Sequence, residues 1–445
     1  MKTLVSKILL LIFIFAQLTT VIVKGQISIE KDRNVVWLHG LDGDEGSWEH
    51  YEQIFSAERK MRSYRFAYNT AHGVGNSTHH VKTKVDQYLG ASNTNSRNLV
   101  IGHSMGGIVS RNLDRTTAPN LKRFGGIITV TSSNYGAYIA NSLLDGSVEQ
   151  AYNTALDALV APFLAEGQTI SALYPSMSGA AVNYVLGPLA VSQLLNNDLN
   201  EYFGTPVTNN DLKVGSSVMN SINNFQSTLP RISMWVNEQS PVHWRLFGSH
   251  LSSKDGDAPK DQPFVTYMSL IRRFYLERYN AYLGLSILAA SSGNWFGSAA
   301  YSNLATKYLK GYKWIVNSEM MWATLIKSYK VETYTYTVEQ LVCDLPYTDF
   351  GFDHQGHGDD GGSNCQWVTT TITRNVIVQT PSDGLIPKES QILTDIPSGN
   401  VYEIKNANHF SVRNMSYKGP GGDNTRRRFN DIFNRQENDF FFIPQ

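Results

Sequence analysis

The chain has 445 residues, and its 38 Lys+Arg against 38 Asp+Glu give a formal net charge of zero. This length allows one large domain or two to three ordinary ones, and a hydrophobic content of 42% indicates a globular protein. The balanced charge offers no electrostatic support for a nucleic-acid partner, whereas 11% aromatic residues are ample for an apolar binding surface.

The first residues have the pattern of a targeting segment. Lys2 and Lys7 precede an unbroken apolar run at residues 8–16. Val23 and Gly25 are small enough for a cleavage site before Gln26. We therefore predict that residues 1–25 are a signal peptide and that the protein is secreted or periplasmic. Lys24, close after the apolar run, leaves a retained membrane anchor as the alternative.

The first strand predicted after this segment, at residues 35–38, runs directly into the loop His39-Gly40-Leu41. An enzyme that forms a tetrahedral acyl intermediate needs two backbone N–H donors facing the oxyanion, one of them from a loop after an early strand. The N–H of Leu41 is the candidate for this donor.

Strands and helices then alternate along the chain. We predict helices at residues 49–61 and 79–89, strands at 63–68 and 99–101, and another strand at 125–130. Such alternation is typical of a parallel sheet with helices on both faces.

The motif Gly102-His103-Ser104-Met105-Gly106 follows the strand at residues 99–101 and precedes a predicted helix. Strand, tight glycine turn and helix are the context of a nucleophile elbow, in which the serine hydroxyl is exposed at the end of the sheet. Ser104 is the candidate nucleophile, and the N–H of Met105 is the second candidate oxyanion donor.

These two motifs and the strand order resemble the α/β-hydrolase superfamily, and within it the lipases and esterases. The chain is also similar to GPI inositol-deacylase-like and phospholipid acyltransferase-like proteins. The resemblance implies an α/β-hydrolase fold with a mostly parallel central sheet, and it covers residues 30–140, 205–250 and 375–440. It departs from the lipase pattern at residues 131–136, where Thr-Ser-Ser-Asn-Tyr-Gly replaces the usual Thr-Pro turn.

Two insertions interrupt the expected core of residues 26–445. The first, residues 141–225, is predicted as a helical cap with helices at 142–164 and 181–196. Because residues 167–197 carry no charge, we expect them to form an acyl-binding wall or lid. A cap that never moves is the alternative.

The second insertion, residues 250–374, is predicted to hold two helices and two hairpin strands, at 264–289, 303–329, 333–341 and 366–374. Cys343 and Cys365 bracket its Asp- and Gly-rich loop, and they form either one disulfide or two free thiols. The acidic and histidine residues at 344–360 could bind calcium or zinc, but their spacing matches no defined loop, and we assign no metal.

The remaining catalytic candidates follow the predicted strands 375–379 and 401–405. Asp383 lies in a turn rich in proline and glycine, and His409 lies in the loop after the last strand. The order Ser104, Asp383, His409 is that of an α/β-hydrolase triad, with His409 as general base and Asp383 fixing its tautomer. Glu238, after a predicted strand at 231–236, is the alternative acid, or else a solvated loop residue.

The sequence therefore predicts an exported serine hydrolase that cleaves carboxylic esters, in particular lipid acyl esters, without a cofactor. Its expected partner is a small-molecule or lipid ester, and a transient contact with a membrane or lipid surface is compatible with this function. An acyltransferase or an amidase could use the same triad, and a non-catalytic binding protein could keep the same fold. The oligomeric state is not predicted.

Overall fold

A six-stranded sheet organises the core of the computed structural model, which describes residues 33–89, 97–155, 205–238, 261–343, 365–413 and 420–445. The strand order is β2-β1-β3-β4-β5-β8, and every neighbouring pair in it is parallel. The strands are β1 Arg33–Leu38, β2 Met61–Arg65, β3 Leu99–His103, β4 Gly126–Val130, β5 Arg231–Asn237 and β8 Val401–Lys405.

Helices cover both faces of this sheet, as the apolar runs in its central strands require. On one face Val36 and Val100 pack with Val81 and Ile108, and on the other Trp37 packs with aromatic rings of two helices. The helices concerned are α1 Glu49–Glu58, α2 Gly73–Leu89, α3 Met105–Thr116 and α10 Pro420–Phe433. The sheet and its two helical layers confirm the α/β-hydrolase fold.

The cap region is described in part. Its helices are α4 Tyr138–Leu144, α5 Ser147–Ala155, α6 Pro206–Leu212 and α7 Ser217–Asn223. The continuous helix expected at 142–164 is wrong at its start, because α4 ends before Gly146, whose φ of 78° suits glycine. The predicted uncharged wall at residues 167–197 lies outside the described residues, as do residues 1–25.

The second insertion begins with two long antiparallel helices, α8 Asp261–Ser291 and α9 Trp295–Leu325. The end of α9 joins the hydrolase core, where Trp322 and Leu325 belong to the same apolar cluster as the sheet. None of the helices in the described part of the chain combines the length and apolar content of a membrane span.

Residues 329–380 form a separate unit, a two-stranded antiparallel ribbon. Its strands are β6 Tyr329–Cys343 and β7 Cys365–Gln379, which confirms the hairpin and extends it at both ends. The core strand expected at residues 375–379 is wrong, because these residues pair with Tyr329–Thr333 inside the ribbon. A short apolar run predicts a strand but does not say which strand it pairs with.

The ribbon register also bears on the two cysteines. Cys343 and Cys365 are paired residues at one end of the ladder, directly opposite each other. This placement suits a disulfide, whose Cβ atoms must lie about 4 Å apart.

We expect mass spectrometry of the protein without reductant to show the Cys343–Cys365 bond, which would stabilise the chain by about 3 kcal/mol on the loop-entropy model. Alkylation of both thiols in the non-reduced protein would contradict the pairing. Replacing both cysteines by serine serves as the control for the mass shift.

Candidate active site

Ser104 lies at the turn between β3 and α3, in a backbone conformation that residues other than glycine rarely adopt. Its φ is 51° and its ψ is −124°. The turn is held by the Ser104 N–H, which donates to the Val130 carbonyl oxygen at 3.0 Å, and by the Gly107 N–H, which donates to the Ser104 carbonyl at 3.1 Å. Strain of this kind persists only where the surroundings enforce it, and it presents the hydroxyl at the end of the sheet.

The glycines of the motif are required by close approach. A Cβ on Gly102 would lie 2.4 Å from the backbone of Gly106, and a Cβ on Gly106 would lie 2.4 Å from the carbonyl oxygen of His39. Strand, helix and oxyanion loop therefore come together only because both positions lack side chains.

His409 links the serine to a carboxylate. Its Nε2 lies 3.0 Å from the Ser104 hydroxyl oxygen, and its Nδ1 lies 2.7 Å from Asp383 Oδ2. The His409 backbone N–H also donates to the Asp383 carbonyl oxygen at 2.8 Å. Asp383 and His409 are both buried. The three predicted residues are thus brought together in the arrangement of a catalytic triad.

The Asp383 turn is braced from several sides. Its Oδ1 accepts the N–H groups of Leu385 at 2.9 Å and Ile386 at 2.6 Å, which leaves Oδ2 for the imidazole. Trp322 of α9 donates its indole N–H to the Gly384 carbonyl at 2.6 Å. Gln391, fully buried, donates to the Ile386 carbonyl and accepts from the Val236 N–H of β5.

Trp322 and Gln391 were missed by the sequence analysis. Trp322 contacts Gly384 and Gln391 contacts Val236, and both partners are distant in the chain. No local spacing of residues predicts such contacts.

Glu238, the alternative acid, follows β5 directly. Its backbone N–H donates to the Ser382 carbonyl at 2.7 Å, so it holds the Asp383 turn against the sheet through the main chain. The prediction of a solvated side chain is wrong, because Glu238 is buried. The carboxylate that the structure places on His409 is that of Asp383.

Two further histidines lie beside the triad. His103 Nε2 bonds to the His409 carbonyl oxygen at 2.8 Å, and His39 Nδ1 lies 2.8 Å from the Gly40 carbonyl. Burial lowers the pKa of His103 well below its usual value, and burial lowers the pKa of His39 to about 4. Both are therefore neutral near pH 7 and act as supports of the loops that carry the triad.

The depressed pKa of His39 predicts a loss of stability in acid. Above pH 6.5 the histidine is neutral in both states, but between pH 6.5 and 4 only the unfolded chain takes up its proton. We expect this group alone to lower the free energy of unfolding by about 2 kcal/mol from pH 7 to pH 5.

Urea titrations of tryptophan fluorescence at the two pH values measure this loss. The His39→Gln protein, which cannot take up the proton, should show a smaller difference between pH 7 and pH 5. Equal differences in the two proteins would contradict a neutral buried His39.

The two candidate oxyanion donors lie at the start of α3 and in the turn after β1. Met105 is the first residue of α3, so its N–H has no intrahelical acceptor. Leu41 lies in the turn after β1, which the Gly43 N–H closes by donating to the Gly40 carbonyl at 3.2 Å. Leu41 and Ser104 line the same pocket. Their positions suit backbone donors that face one oxygen.

The pocket above Ser104 is mainly apolar. Its walls come from the oxyanion loop, α4, α6, the Asp383 turn and the loop of His409, and the apolar lining consists of Leu41, Ala137, Ile139, Ala140, Leu143, Leu212, Leu385, Ile386 and Phe410. The cavity among these side chains has a volume of about 50 Å³, and its lining suits contact with the alkyl group of an ester. The sequence departure at residues 131–136 contributes Ser133 to this wall.

No cluster of three or more histidine, cysteine or acidic side chains that could hold a metal occurs within the described ranges. The loop considered for calcium or zinc, residues 344–360, lies outside them.

Comparison with known proteins agrees with the resemblance seen in the sequence. Residues 28–130, which contain both the oxyanion loop and the elbow, match the family described as "Putative serine esterase (DUF676)". Among curated proteins, none matches the chain.

Solved structures similar to this chain include hydrolases from several bacteria. Phospholipase PlaB from Legionella pneumophila is 11% identical over 47% of this chain and 40% of its own, with a TM-score of 0.30. Lipase BlEst2 from Bacillus licheniformis is 14% identical over 48% and 69% of the two chains, with a TM-score of 0.28. An extracellular alpha/beta-hydrolase from a Paenibacillus species is 15% identical over 46% and 77%, with a TM-score of 0.26. The chain thus spans less than half of the phospholipase.

Proposed function

We propose that this α/β-hydrolase is an exported serine hydrolase that cleaves carboxylic esters of lipids through an acyl-enzyme on Ser104. One observation carries the proposal: His409 bridges Ser104 and Asp383 with bonds of 3.0 and 2.7 Å, in a buried site at the end of a parallel sheet. The match of residues 28–130 to a serine esterase family supports it. The apolar residues 8–16 support export.

The acylation step follows from this geometry. The Ser104 hydroxyl oxygen attacks the ester carbonyl carbon while His409 Nε2 takes its proton. The carbonyl oxygen becomes negatively charged and is bound by the N–H groups of Leu41 and Met105. The intermediate collapses when the imidazolium returns the proton to the leaving alcohol, which leaves the acyl group on Ser104.

Deacylation repeats the step with water. His409 removes a proton from the water, whose oxygen attacks the acyl carbon. The bond between the acyl carbon and the Ser104 oxygen then breaks, the carboxylic acid leaves, and the proton returns from His409 to the Ser104 oxygen. The carboxylate of Asp383 keeps the proton of the neutral imidazole on Nδ1 and stabilises the imidazolium in both halves of the cycle. The residues of the site complete this cycle without a cofactor.

The apolar lining of the pocket favours a substrate whose bound part is an acyl chain. Leu385 and Ile386 belong to the same turn as Asp383, and Phe410 follows His409, so the catalytic loops also line the pocket. A chain that fills this pocket places its carbonyl next to Ser104.

A fluorophosphonate probe tests the serine chemistry directly. We expect one covalent adduct, on the peptide that contains Ser104, and no adduct in the Ser104→Ala protein. Labelling of both proteins to the same extent would contradict the assignment.

A chain-length series of p-nitrophenyl esters tests the substrate class. We expect kcat/KM to rise from acetate towards longer acyl chains, because each added methylene buries more apolar surface. A maximum at acetate would contradict a lipid substrate while leaving serine ester hydrolysis in place. Product analysis with an added alcohol separates hydrolysis from acyl transfer.

A further inference from the structure

The tip of the α8–α9 hairpin exposes four large apolar side chains within one turn. Ile287 is 61% exposed, Leu288 66%, Trp295 70% and Phe296 93%. Single exposed apolar residues are common on soluble proteins, but a cluster of this kind marks a contact surface. We call these four residues the hairpin tip.

The exposure does not arise from loose packing between the two helices. Tyr282 and Tyr308 stack across the seam with ring centroids 5.5 Å apart, and Ser286 donates to the Ser298 carbonyl oxygen at 2.9 Å. The connecting turn is equally well built, since the Asn294 side chain caps α9 by accepting the Gly297 N–H at 2.9 Å. The hairpin therefore holds its apolar tip outward on a defined scaffold.

The charge next to the tip is mainly positive, and the nearest acidic residue along α8, Glu277, is paired with Arg273. Residues 279–306 carry no charged side chain, and residues 278–318 contain no aspartate or glutamate. Three lysines follow at spacings of three residues, Lys307, Lys310 and Lys313, and all three are exposed on neighbouring positions of α9. The hairpin thus ends in an uncharged apolar tip behind which lies a band of positive charge.

The spacing of tip and lysines matches the layers of a membrane surface. At a rise of 1.5 Å per residue, Lys307, Lys310 and Lys313 lie about 16, 21 and 26 Å along the helix from Phe296, so a hairpin that enters the surface at a tilt brings all three towards it. An interfacial element buries its apolar side chains about 5–10 Å into the boundary between headgroups and acyl chains. The flexible stem of a lysine then reaches the headgroups, where anionic lipids attract it.

We propose that the hairpin tip inserts into one leaflet of an anionic phospholipid membrane, with the three lysines binding its headgroups. A second copy of the chain would bury the apolar tip but would gain nothing from the lysines, which have like charge. The proposal goes beyond the esterase function, because it concerns where the enzyme is held and does not depend on Ser104.

Vesicle flotation of the exported protein carrying Ser104→Ala tests the proposal, since the inactive serine keeps the lipids intact. We expect binding to vesicles of phosphatidylcholine with 30% phosphatidylserine and much weaker binding to phosphatidylcholine alone. Trp295→Ser with Phe296→Ser should reduce binding at least tenfold. Lys307→Gln, Lys310→Gln and Lys313→Gln should each reduce it about fivefold, and added salt should abolish that difference.

Matched controls separate the tip from general surface effects. Leu121→Ser with Val207→Ser removes two exposed apolar side chains outside the α8–α9 hairpin, one before β4 and one in α6, and Lys405→Gln removes an exposed charge at the end of β8. Both changes should leave binding unaltered. The tip variants should keep the circular dichroism spectrum and the melting temperature of the parent protein, which shows that they fold.

Two direct readouts distinguish insertion from other contacts. Brominated lipids should quench the fluorescence of the parent protein, and Trp295→Phe should lose most of this quenching while still binding. Equal flotation of parent and tip variants would overturn the proposal. So would a dimer in analytical ultracentrifugation that the tip variants dissociate, since the second copy would then be the occupant. None of these readouts measures ester hydrolysis, so failure of the esterase assignment would be seen separately.

Discussion

Ser104→Ala is expected to lower kcat for ester hydrolysis by on the order of 10³-fold or more. The change removes the atom that forms the acyl-enzyme, and it leaves the His409–Asp383 pair without a group to deprotonate. The fold should persist, because the Ser104 hydroxyl is partly exposed and the bonds that hold the turn come from its main chain. Steady-state kinetics on a p-nitrophenyl ester, with circular dichroism as a check of the fold, measure both effects.

A buried serine elsewhere in the chain provides the control. Ser142 in α4 donates its hydroxyl to the Leu325 carbonyl oxygen at 2.8 Å, away from the triad. Ser142→Ala should cost about 1 kcal/mol of stability and leave kcat close to the parental value. Near-normal turnover by the Ser104→Ala protein would contradict the whole assignment.

Asp383→Asn is expected to lower kcat by up to about 10⁴-fold, by analogy with the serine-protease triad. The carboxamide keeps the size of the side chain, but its NH2 group can donate a hydrogen bond to His409 Nδ1. This favours the imidazole tautomer that carries its proton on Nε2. That tautomer cannot accept the proton of Ser104. Kinetics across pH 5–9 measure the loss, and labelling by a fluorophosphonate should slow in parallel.

Glu238→Gln is the matched comparison, because both changes replace one buried carboxylate by an amide in the same region of the site. We expect little effect on kcat, since Glu238 supports the Asp383 turn through its backbone N–H, which the variant retains. If Glu238→Gln were the more damaging change, the triad acid would have to be reassigned, while the serine chemistry would stand.

The parts of the site that local sequence could predict are those that depend on local geometry. The elbow requires glycines on both sides of Ser104 within five residues. A close contact that excludes a Cβ can be recognised in the sequence, because it needs glycine at a fixed position. The Asp383 turn is similar, since Gly384 has a φ of 90° and prolines flank it. The chain order of serine, acid and histidine then reduced the eleven histidines to His409.

The parts that could not be predicted depend on contacts distant in the chain. Residues 375–379 have the composition of a buried strand, yet they pair with β6, because alternation carries no information about the partner. Glu238 was expected either as the alternative acid or as a solvated loop residue; it is buried, and its backbone N–H donates to the Ser382 carbonyl oxygen. Trp322 reaches Gly384 from a helix that the resemblance does not cover.

The bond between the Glu238 N–H and the Ser382 carbonyl has a consequence for how this protein could have been assembled. The 2.7 Å contact brings the end of β5 directly beside the turn of the catalytic acid, although the chain between them spans residues 239–381. A segment whose two ends meet can be lengthened, exchanged or lost at small cost in loop-closure entropy. Glu238 and the Asp383 turn are therefore the two ends at which the inserted segment joins the hydrolase core. A replacement segment would also have to supply the hydrogen bond that Trp322 donates to Gly384, which braces the turn of the catalytic acid.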